Sequence, residues 1–481
     1  MIPERARPVL DRVAPIAERF EAGGHRLYLV GGVVRDLLAP DGPATAGAVT
    51  AGAATVGGAA GSYRTDLDLT TDATPPQIKA LVAPLAEAVW TQGERFGTIG
   101  ATIGGEPFEI TTHRAEVYDP ASRKPEVQFR GTDLRTDLER RDFTINAIAL
   151  EVTGAEPTLI DPFDGLGDLL SRRLRTPMDP DVSFSDDPLR MMRAARFIAR
   201  FDLTPDESLV RALEAGADRL GIVSAERVRD ELCKLVMVAD PSAGLWFLHD
   251  SGLADLVVPE LPAMRLEQDP IHRHKDVLTH TIAVVRQSPV DLSVRLAALF
   301  HDVGKPRTRA IGAKGVSFHH HEVVGARMTR ERMKALKFSN EMVDDVTKLV
   351  YLHLRMHTYQ LGWTDSAVRR FVRDAGPLLG ELLALTRADC TTRNRRRAEA
   401  LGRRIDELED RIAELMAREE LGSLRPDLNG SQVMAHLGIP GGPVVGEALD
   451  HLLELRIENG PLGEAAAYAE LERWWADRGV P

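Results

Sequence analysis

A chain of 481 residues is too long for one ordinary hydrophobic core, so several domains are expected. Its 43% hydrophobic and 27% charged residues are those of a globular protein in water, and no apolar run approaches the ~20 residues of a membrane span. Two distant cysteines, Cys233 and Cys390, exclude a disulfide framework and a cysteine zinc site, and the net charge of −12 excludes a surface that is basic throughout.

The opening segment, MIPERARPVLDRVAPIAERF, carries charges at helical spacing and no uninterrupted apolar stretch, so a cytoplasmic protein is expected. LYLV (27–30) predicts a strand that runs into a Gly31-Gly32 turn and a helix. Residues 41–62 are almost wholly small and apolar or hydroxylated, which predicts a mobile loop. RTDLDLT (64–70), GTIGATI (97–103) and EPFEITT (106–112) alternate with period 2 and predict further strands. The Pro-rich, charged stretch 118–129 predicts a second flexible loop. From about residue 185 the pattern becomes almost purely helical, so an α/β head followed by an all-helical body is expected. Towards the end, Leu401, Ile405, Leu408, Ile412 and Leu415 fall at 4-3-4 spacing on an amphipathic helix. Such a stripe packs against neighbouring helices or forms the seam of a homodimer. The arginines at 393, 395–397, 403 and 404 make either a solvated helix face or an RNA contact.

The sharpest local signal is the strand-Gly31-Gly32-Val33-Val34-Arg35-Asp36 run followed by Asp66-Leu67-Asp68. Two glycines at a strand-to-helix junction let backbone N–H groups approach a phosphate chain. On a strand, residues two apart share a face, so Asp66 and Asp68 present their carboxylates together, a hard-oxygen pair suited to two Mg²⁺ ions. Alone, such a pair is more often a solvent-facing strand end. Glu109, on another predicted strand, either completes the carboxylate cluster or is an ordinary exposed residue.

GGVVRDLL, TDLDLTTDATP, RRDFTINAIAL, IDPFDGLGDLLSRRLRT, DDPLRMMRAARF and SAERVRDEL, in this order, resemble the motifs of the class II CCA-adding tRNA nucleotidyltransferases and bacterial poly(A) polymerases. The resemblance implies an α+β fold: a polymerase-beta-like nucleotidyltransferase head of mixed sheet with helices, then an all-α neck, body and tail that includes an HD domain. The expected organisation is a head over 1–155, a neck with the nucleotide-selecting motif over 156–255, an HD metal-binding domain over 256–395 and a helical tail over 396–481. It also implies that Asp66 and Asp68 hold the magnesium of nucleotidyl transfer, and that Arg141, Asp142 and Asn146 surround the ribose, where a carboxylate accepting from the 2′-hydroxyl favours ribonucleotides. Gly31, Gly32 and Arg35 then belong to the nucleotide site. Arg114 either meets the triphosphate or is an exposed strand-end residue. The insert between Asp36 and Asp66 is longer than the family's usual link.

In DDPLR, Asp187 and Arg190 are three apart, which a helix places side by side. A carboxylate only accepts hydrogen bonds and a guanidinium only donates them. Cytosine and adenine each offer an amino donor beside a ring-nitrogen acceptor, whereas guanine and uracil offer a carbonyl beside an N–H. An Asp–Arg pair therefore complements C and A; an intrahelical ion pair is the alternative. Where the family usually has Glu-Asp, this chain has Asp186-Asp187.

Further on, His280, His301-Asp302 and Asp389 follow the H…HD…D order of the HD phosphohydrolases, and His321 and His353 are candidates to extend the site to a second ion. Imidazole and carboxylate ligands on facing helices suit a divalent transition metal that activates water. The expectation is thus an enzyme that builds CCA on the tRNA 3′ end from CTP and ATP, with an additional HD-domain phosphohydrolase activity open. The rivals are a poly(A) polymerase, a CC-only or A-only transferase, and an HD phosphohydrolase whose head is an inactive RNA-binding module.

Overall fold

The structure is a computed structural model that describes residues 2–39, 67–113, 115–117, 126–128, 133–266, 276–312, 315–358, 363–390, 395–419 and 425–478. Asp66, Arg114 and the 41–62 segment lie outside the described residues. The chain forms two compact units: residues 1–263 with 335–338, and residues 264–334 with 339–481.

Nine strands fall in the first part of the first unit: β1 (Leu27–Val30), β2 (Leu67–Thr71), β3 (Ala88–Trp90), β4 (Thr98–Ile103), β5 (Glu106–Thr112), β6 (Ala115–Val117), β7 (Glu126–Gln128), β8 (Ala149–Glu151) and β9 (Thr158–Ile160). Seven of them make one sheet in the order β3-β4-β5-β2-β1-β8-β9, mixed because β2 and β5 run parallel while the other neighbours are antiparallel. The strand read at LYLV and the three read from period-2 alternation are present as β1, β2, β4 and β5. Of the stretch read as a flexible loop at 118–129, residues 126–128 form β7, which pairs antiparallel with β6 through Glu116 and Val127, and the rest lies outside the described residues.

Alternation gives the sheet two different faces. Leu27, Leu29, Leu67, Leu69, Phe108 and Ile110 point to one face and pack with Ile16 and Phe20 of the helix Arg7–Ala22 and Ile78 and Val82 of the helix Pro75–Val82. Each such fully buried side chain contributes about 1.5–3 kcal/mol. The interleaved residues Asp68 and Glu109 point to the other face and are exposed. On that face Tyr28 and Val30 pack with Leu138, Ala147 and Ala149, closing the sheet on the β1–β8 side and leaving it open at β2 and β5.

After β9 the first unit is mainly helical, through Pro180–Asp186, Leu189–Phe201, Glu207–Gly216 and Ala225–Val236 among others, with one short parallel pair, Arg173–Leu174 with Thr204–Pro205, among the described residues. Among the described residues the second unit is built of helices with one short hairpin, Arg309–Gly312 with Gly315–Phe318. Its long helix Arg395–Glu419 buries Ile405, Leu408, Ile412 and Leu415 within the unit itself, which is the packing use of that stripe. Among the described residues no helix is long and apolar enough to cross a membrane.

Candidate active site and metal centre

β1 ends at Gly31, whose φ of 73° and ψ of −135° are open only to glycine, and the helix Gly32–Leu38 starts immediately after it. A Cβ at Gly31 would stand 3.2 Å from Arg141 Nη1 and 3.7 Å from Asp68 Oδ2. The turn therefore owes its glycine both to backbone geometry and to two functional side chains. Asp68 sits opposite Glu109 in the parallel β2–β5 register, so the two carboxylates are neighbours on the open face.

Asp68 lines a cleft of about 350 Å³ together with Val30, Thr111, Arg141, Asp187 and Arg190. That volume lies in the range of small-molecule sites. Sequence reasoning missed four further polar residues on its wall: Asp137, Arg140, Arg193 and Arg227. A signal was present, since Arg193 follows Arg190 by three on one helix and Arg227 belongs to the SAERVRDEL block. Five arginines in one cleft show that the net charge of −12 does not describe the field there, which depends on where the charges are. Asp137 is 1% exposed and pairs with Arg140 (3.3 Å) and Arg141 (3.4 Å). Burial opposes its ionisation, but Arg141 and Arg140 outweigh burial and hold its pKa below the usual carboxylate range.

Asp187 and Arg190 do meet at the cleft, though not by the helical spacing expected. Asp187 has extended backbone (φ −138°, ψ 97°) at the end of Pro180–Asp186, and Arg190 stands in the first turn of Leu189–Phe201. Pro188 separates the two helices, and a residue before proline is driven from the helical region. Nor do they form the intrahelical ion pair. Asp187 accepts from Arg227 at 3.1 Å and from the Leu189 N–H at 3.2 Å, whereas Arg190 donates to Ser183 Oγ at 2.7 Å and to the Arg140 carbonyl. Each is thus fixed from outside the pair.

Arg35 and Asn146 stand elsewhere than expected. Arg35 is 4% exposed, donates to Asn146 Oδ1 (2.5 Å) and Asp36 Oδ1 (2.8 and 2.7 Å), and lies under the Phe201 ring at 4.4 Å. Asn146 in turn donates to Asp142 Oδ1 at 2.8 Å. Neither is among the residues lining the cleft; a buried guanidinium needs partners, and these carboxylate and amide oxygens supply them. Asp142 does line the cleft and is gripped by Arg193 Nε at 2.9 Å. Burial raises its pKa, but Arg193 and Asn146 bring it well below the usual value.

The second unit holds a different cluster. His280, His301 and Asp389 form one triad of donor atoms and Asp302, His321 and His353 another, with each triad's atoms within 4.8 Å of one another. His280 lies on Val277–Gln287, His301 caps Leu292–Phe300, His321 opens His321–Ala335, His353 caps Asn340–Leu352 and Asp389 ends Leu379–Asp389. The two triads touch, since His301 Nε2 stands 3.2 Å from Asp302 Oδ2. His301, His321 and His353 each direct Nδ1 at the carbonyl three residues back: Ala298 (2.7 Å), Phe318 (2.8 Å) and Val350 (2.6 Å). That bond fixes the tautomer and leaves Nε2 as a lone-pair donor. Nε2 of His321 and of His353 are buried with no hydrogen-bond partner, an arrangement that costs free energy unless a cation completes it. The donor set therefore fits one or two divalent transition ions. Burial, then the neighbouring His301, push His353 down to about 3, so the ring is neutral at ordinary pH. Gly304 lets the helix carrying His321 approach, because a Cβ there would fall 2.2 Å from the His321 carbonyl oxygen.

Three family models match successive parts of the chain. The poly A polymerase head domain model matches residues 27–175, the model described as "Probable RNA and SrmB- binding site of polymerase A" matches 202–264, and the HD domain model matches 277–416. The chain is 38% identical over 397 residues to the A-adding tRNA nucleotidyltransferase of Deinococcus radiodurans, a match covering 78% of this chain and 88% of that protein. It is 32% identical over 261 residues to the CCA-adding enzyme of Lactobacillus gasseri, covering 54% of this chain and 58% of that one. Among solved structures, the Bacillus stearothermophilus CCA-adding enzyme in complex with CTP shares its fold with a TM-score of 0.67 at 24% identity, covering 98% of this chain and 99% of that one. The Thermotoga maritima CCA-adding enzyme complexed with tRNA_CCA does so at 0.58 and 16% identity, over 98% and 96% of the two chains.

Proposed function

We propose, because this chain belongs to the family of tRNA nucleotidyltransferases and bacterial poly(A) polymerases with an HD domain, that it rebuilds the tRNA 3′ end by transferring CMP and AMP from CTP and ATP without a template. The observation that carries this reading is that Asp68, Asp187 and Arg190 line one cleft, so a nucleotide held there is open to inspection at its base and to reaction at its phosphate.

The nucleotide's parts find matching groups. Arg141, beside the Gly31 turn, and Arg140 face a triphosphate with guanidinium forks suited to phosphate oxygens. Gly31 and Gly32 keep side-chain bulk away from the phosphates. Asp187 accepts from the exocyclic amino group of C or A, and Arg190 donates to the adjacent ring nitrogen. A carbonyl facing Asp187, or an N–H facing Arg190, leaves a buried polar group unsatisfied, which is how G and U are rejected. Asp68 and Glu109, with Asp66 by the family resemblance, would hold Mg²⁺, and their hard oxygens fit that ion. When bound, the metal neutralises triphosphate charge and makes the tRNA 3′-hydroxyl a better nucleophile. The hydroxyl oxygen bonds to the α-phosphorus, its proton leaves, and the bond to pyrophosphate breaks.

The assay is incorporation into tRNA lacking CCA and into tRNA ending in CC, with CTP, ATP or both. Addition of C, C and A in turn is expected. A second reading, addition of A alone, is favoured by the match spanning 88% of an A-adding enzyme but only 50–59% of the CCA-adding relatives compared. It predicts that only tRNA ending in CC is extended, by one A. A run of many A residues points instead to a poly(A) polymerase.

For the second unit, His280, His301 and Asp389, with Asp302, His321 and His353, would hold a divalent transition metal, which when bound activates water for phosphate ester hydrolysis. Metal content and phosphate release in His301→Ala and Asp302→Ala test this, and values unchanged from wild type remove the assignment.

A further inference from the structure

Asp142 is the residue for which family resemblance suggests a bond to the ribose 2′-hydroxyl, yet its carboxylate is already full. Oδ1 accepts from the Phe143 N–H at 2.9 Å and from Asn146 Nδ2 at 2.8 Å. Oδ2 accepts from both Arg193 Nε at 2.9 Å and Arg193 Nη2 at 2.5 Å. A carboxylate has about four lone-pair sites, so a hydroxyl donor must displace one of these partners. The Phe143 amide is backbone, and Asn146 is held from behind by Arg35. Only Arg193 has a second acceptor in reach: its Nη1 stands 3.5 Å from Glu231 Oε1.

We propose that Arg193 is a latch over Asp142, and that Glu231 is the positioning residue that takes the guanidinium when a ribonucleotide claims Asp142 Oδ2. The proposal rests on the ribose reading of Asp142 and extends it to the selection of ribose over deoxyribose. Glu231 is built for the task. It is 3% exposed on the helix Ala225–Val236 and is held ionised by Arg196 at 2.7 Å and Lys234 at 3.3 Å, so it presents a fixed negative charge to Arg193. Burial works against its charge, but Arg196 and Arg193 prevail and keep its pKa below the usual glutamate value. Arg193 shuttling between two acids keeps a buried cation paired in both positions, which an unpaired alternative would not. A deoxyribonucleotide has no 2′-hydroxyl to displace the latch and leaves Arg193 on Asp142.

ATP, a substrate under both readings of the function, is the probe, with dATP as its partner, in incorporation into tRNA ending in CC. In Glu231→Gln the ratio of kcat/KM for ATP to that for dATP falls about tenfold, through a higher KM for ATP. Glu231→Asp keeps the charge that Arg196 needs and withdraws it from Arg193, so a smaller fall is expected if Glu231→Gln does not fold. A merely structural role lowers both substrates together and leaves the ratio alone, and that result overturns the latch. Asp142→Asn separates the two layers: an unchanged ratio there overturns the ribose reading itself, whereas a lowered ratio there with an unchanged ratio in both Glu231 variants overturns the latch only.

Discussion

The two polar centres are organised in opposite ways. In the first unit, Asp68 lines the cleft from an open sheet face with Glu109 beside it in the register, and the arginines of the cleft are already paired with protein groups. In the second unit His301, Asp302, His321 and His353 are buried and His280 and Asp389 partly so, backbone carbonyls orient His301, His321 and His353, and Nε2 of His321 and of His353 makes no hydrogen bond. On the proposed function, the first site would be completed by its substrate, whose phosphate oxygens would share a metal, and the second by its metal, before any substrate arrives. Chemistry explains the difference: a hard cation bound through few carboxylates depends on phosphate ligands, whereas imidazoles bind a softer ion on their own.

That contrast breaks most visibly at Asp68. Asp68→Asn is expected to lower nucleotide incorporation by about 10³-fold, the scale for losing a group that stabilises transition-state charge, while metal content at the histidine cluster stays at the wild-type level. An active Asp68→Asn would remove the head's catalytic assignment. The converse variant, His301→Ala, is expected to lose bound transition metal, measured by elemental analysis, with incorporation unchanged; loss of incorporation would mean that the centres are not separate. Gly31→Ala sharpens the comparison further. The positive φ costs about 1–3 kcal/mol for a residue with a side chain, and the methyl presses on Arg141, so incorporation falls without loss of the metal cluster. The smallest effect expected is in acid. Folding lowers the pKa values of Asp137, Asp142 and Glu231, so their stabilisation is fully present above the unfolded carboxylate range and drains away as pH falls through it. Thermal unfolding of wild type and Asp142→Asn between about pH 5 and about pH 3 should show the gap in Tm narrowing as pH falls. A constant gap would show that Asp142 contributes through shape rather than charge.

Much of this was legible in the chain because two periodicities are local. Alternation around Asp68 and Glu109 puts hydrophobic neighbours on one face and the acids on the other, and no long-range information is needed to see it. The HD order of His280, His301, Asp302 and Asp389 carried the second centre in the same way, and all six expected ligands fall into the two triads. What the sequence hid depends on distant partners. Arg35 is expected at the nucleotide site from the family resemblance, but the rings of Phe197 and Phe201, far along the chain, cover it. Asp187 and Arg190 read as helical neighbours, and Pro188 sets them on separate elements instead. Arg227 reaches the cleft through packing of a helix some 40 residues beyond Asp187, which spacing does not encode.

The central claim is that one Asp–Arg pair reads the base, and nucleotide choice at the tRNA 3′ end tests it most directly. For wild type, kcat/KM for ATP incorporation into tRNA ending in CC should far exceed that for GTP. In Arg190→Ala that preference should collapse by about 10²-fold, because the adenine ring nitrogen loses its donor and the guanine N–H loses its clash. An Arg190→Ala enzyme that still chose ATP over GTP as strongly as wild type would contradict the account.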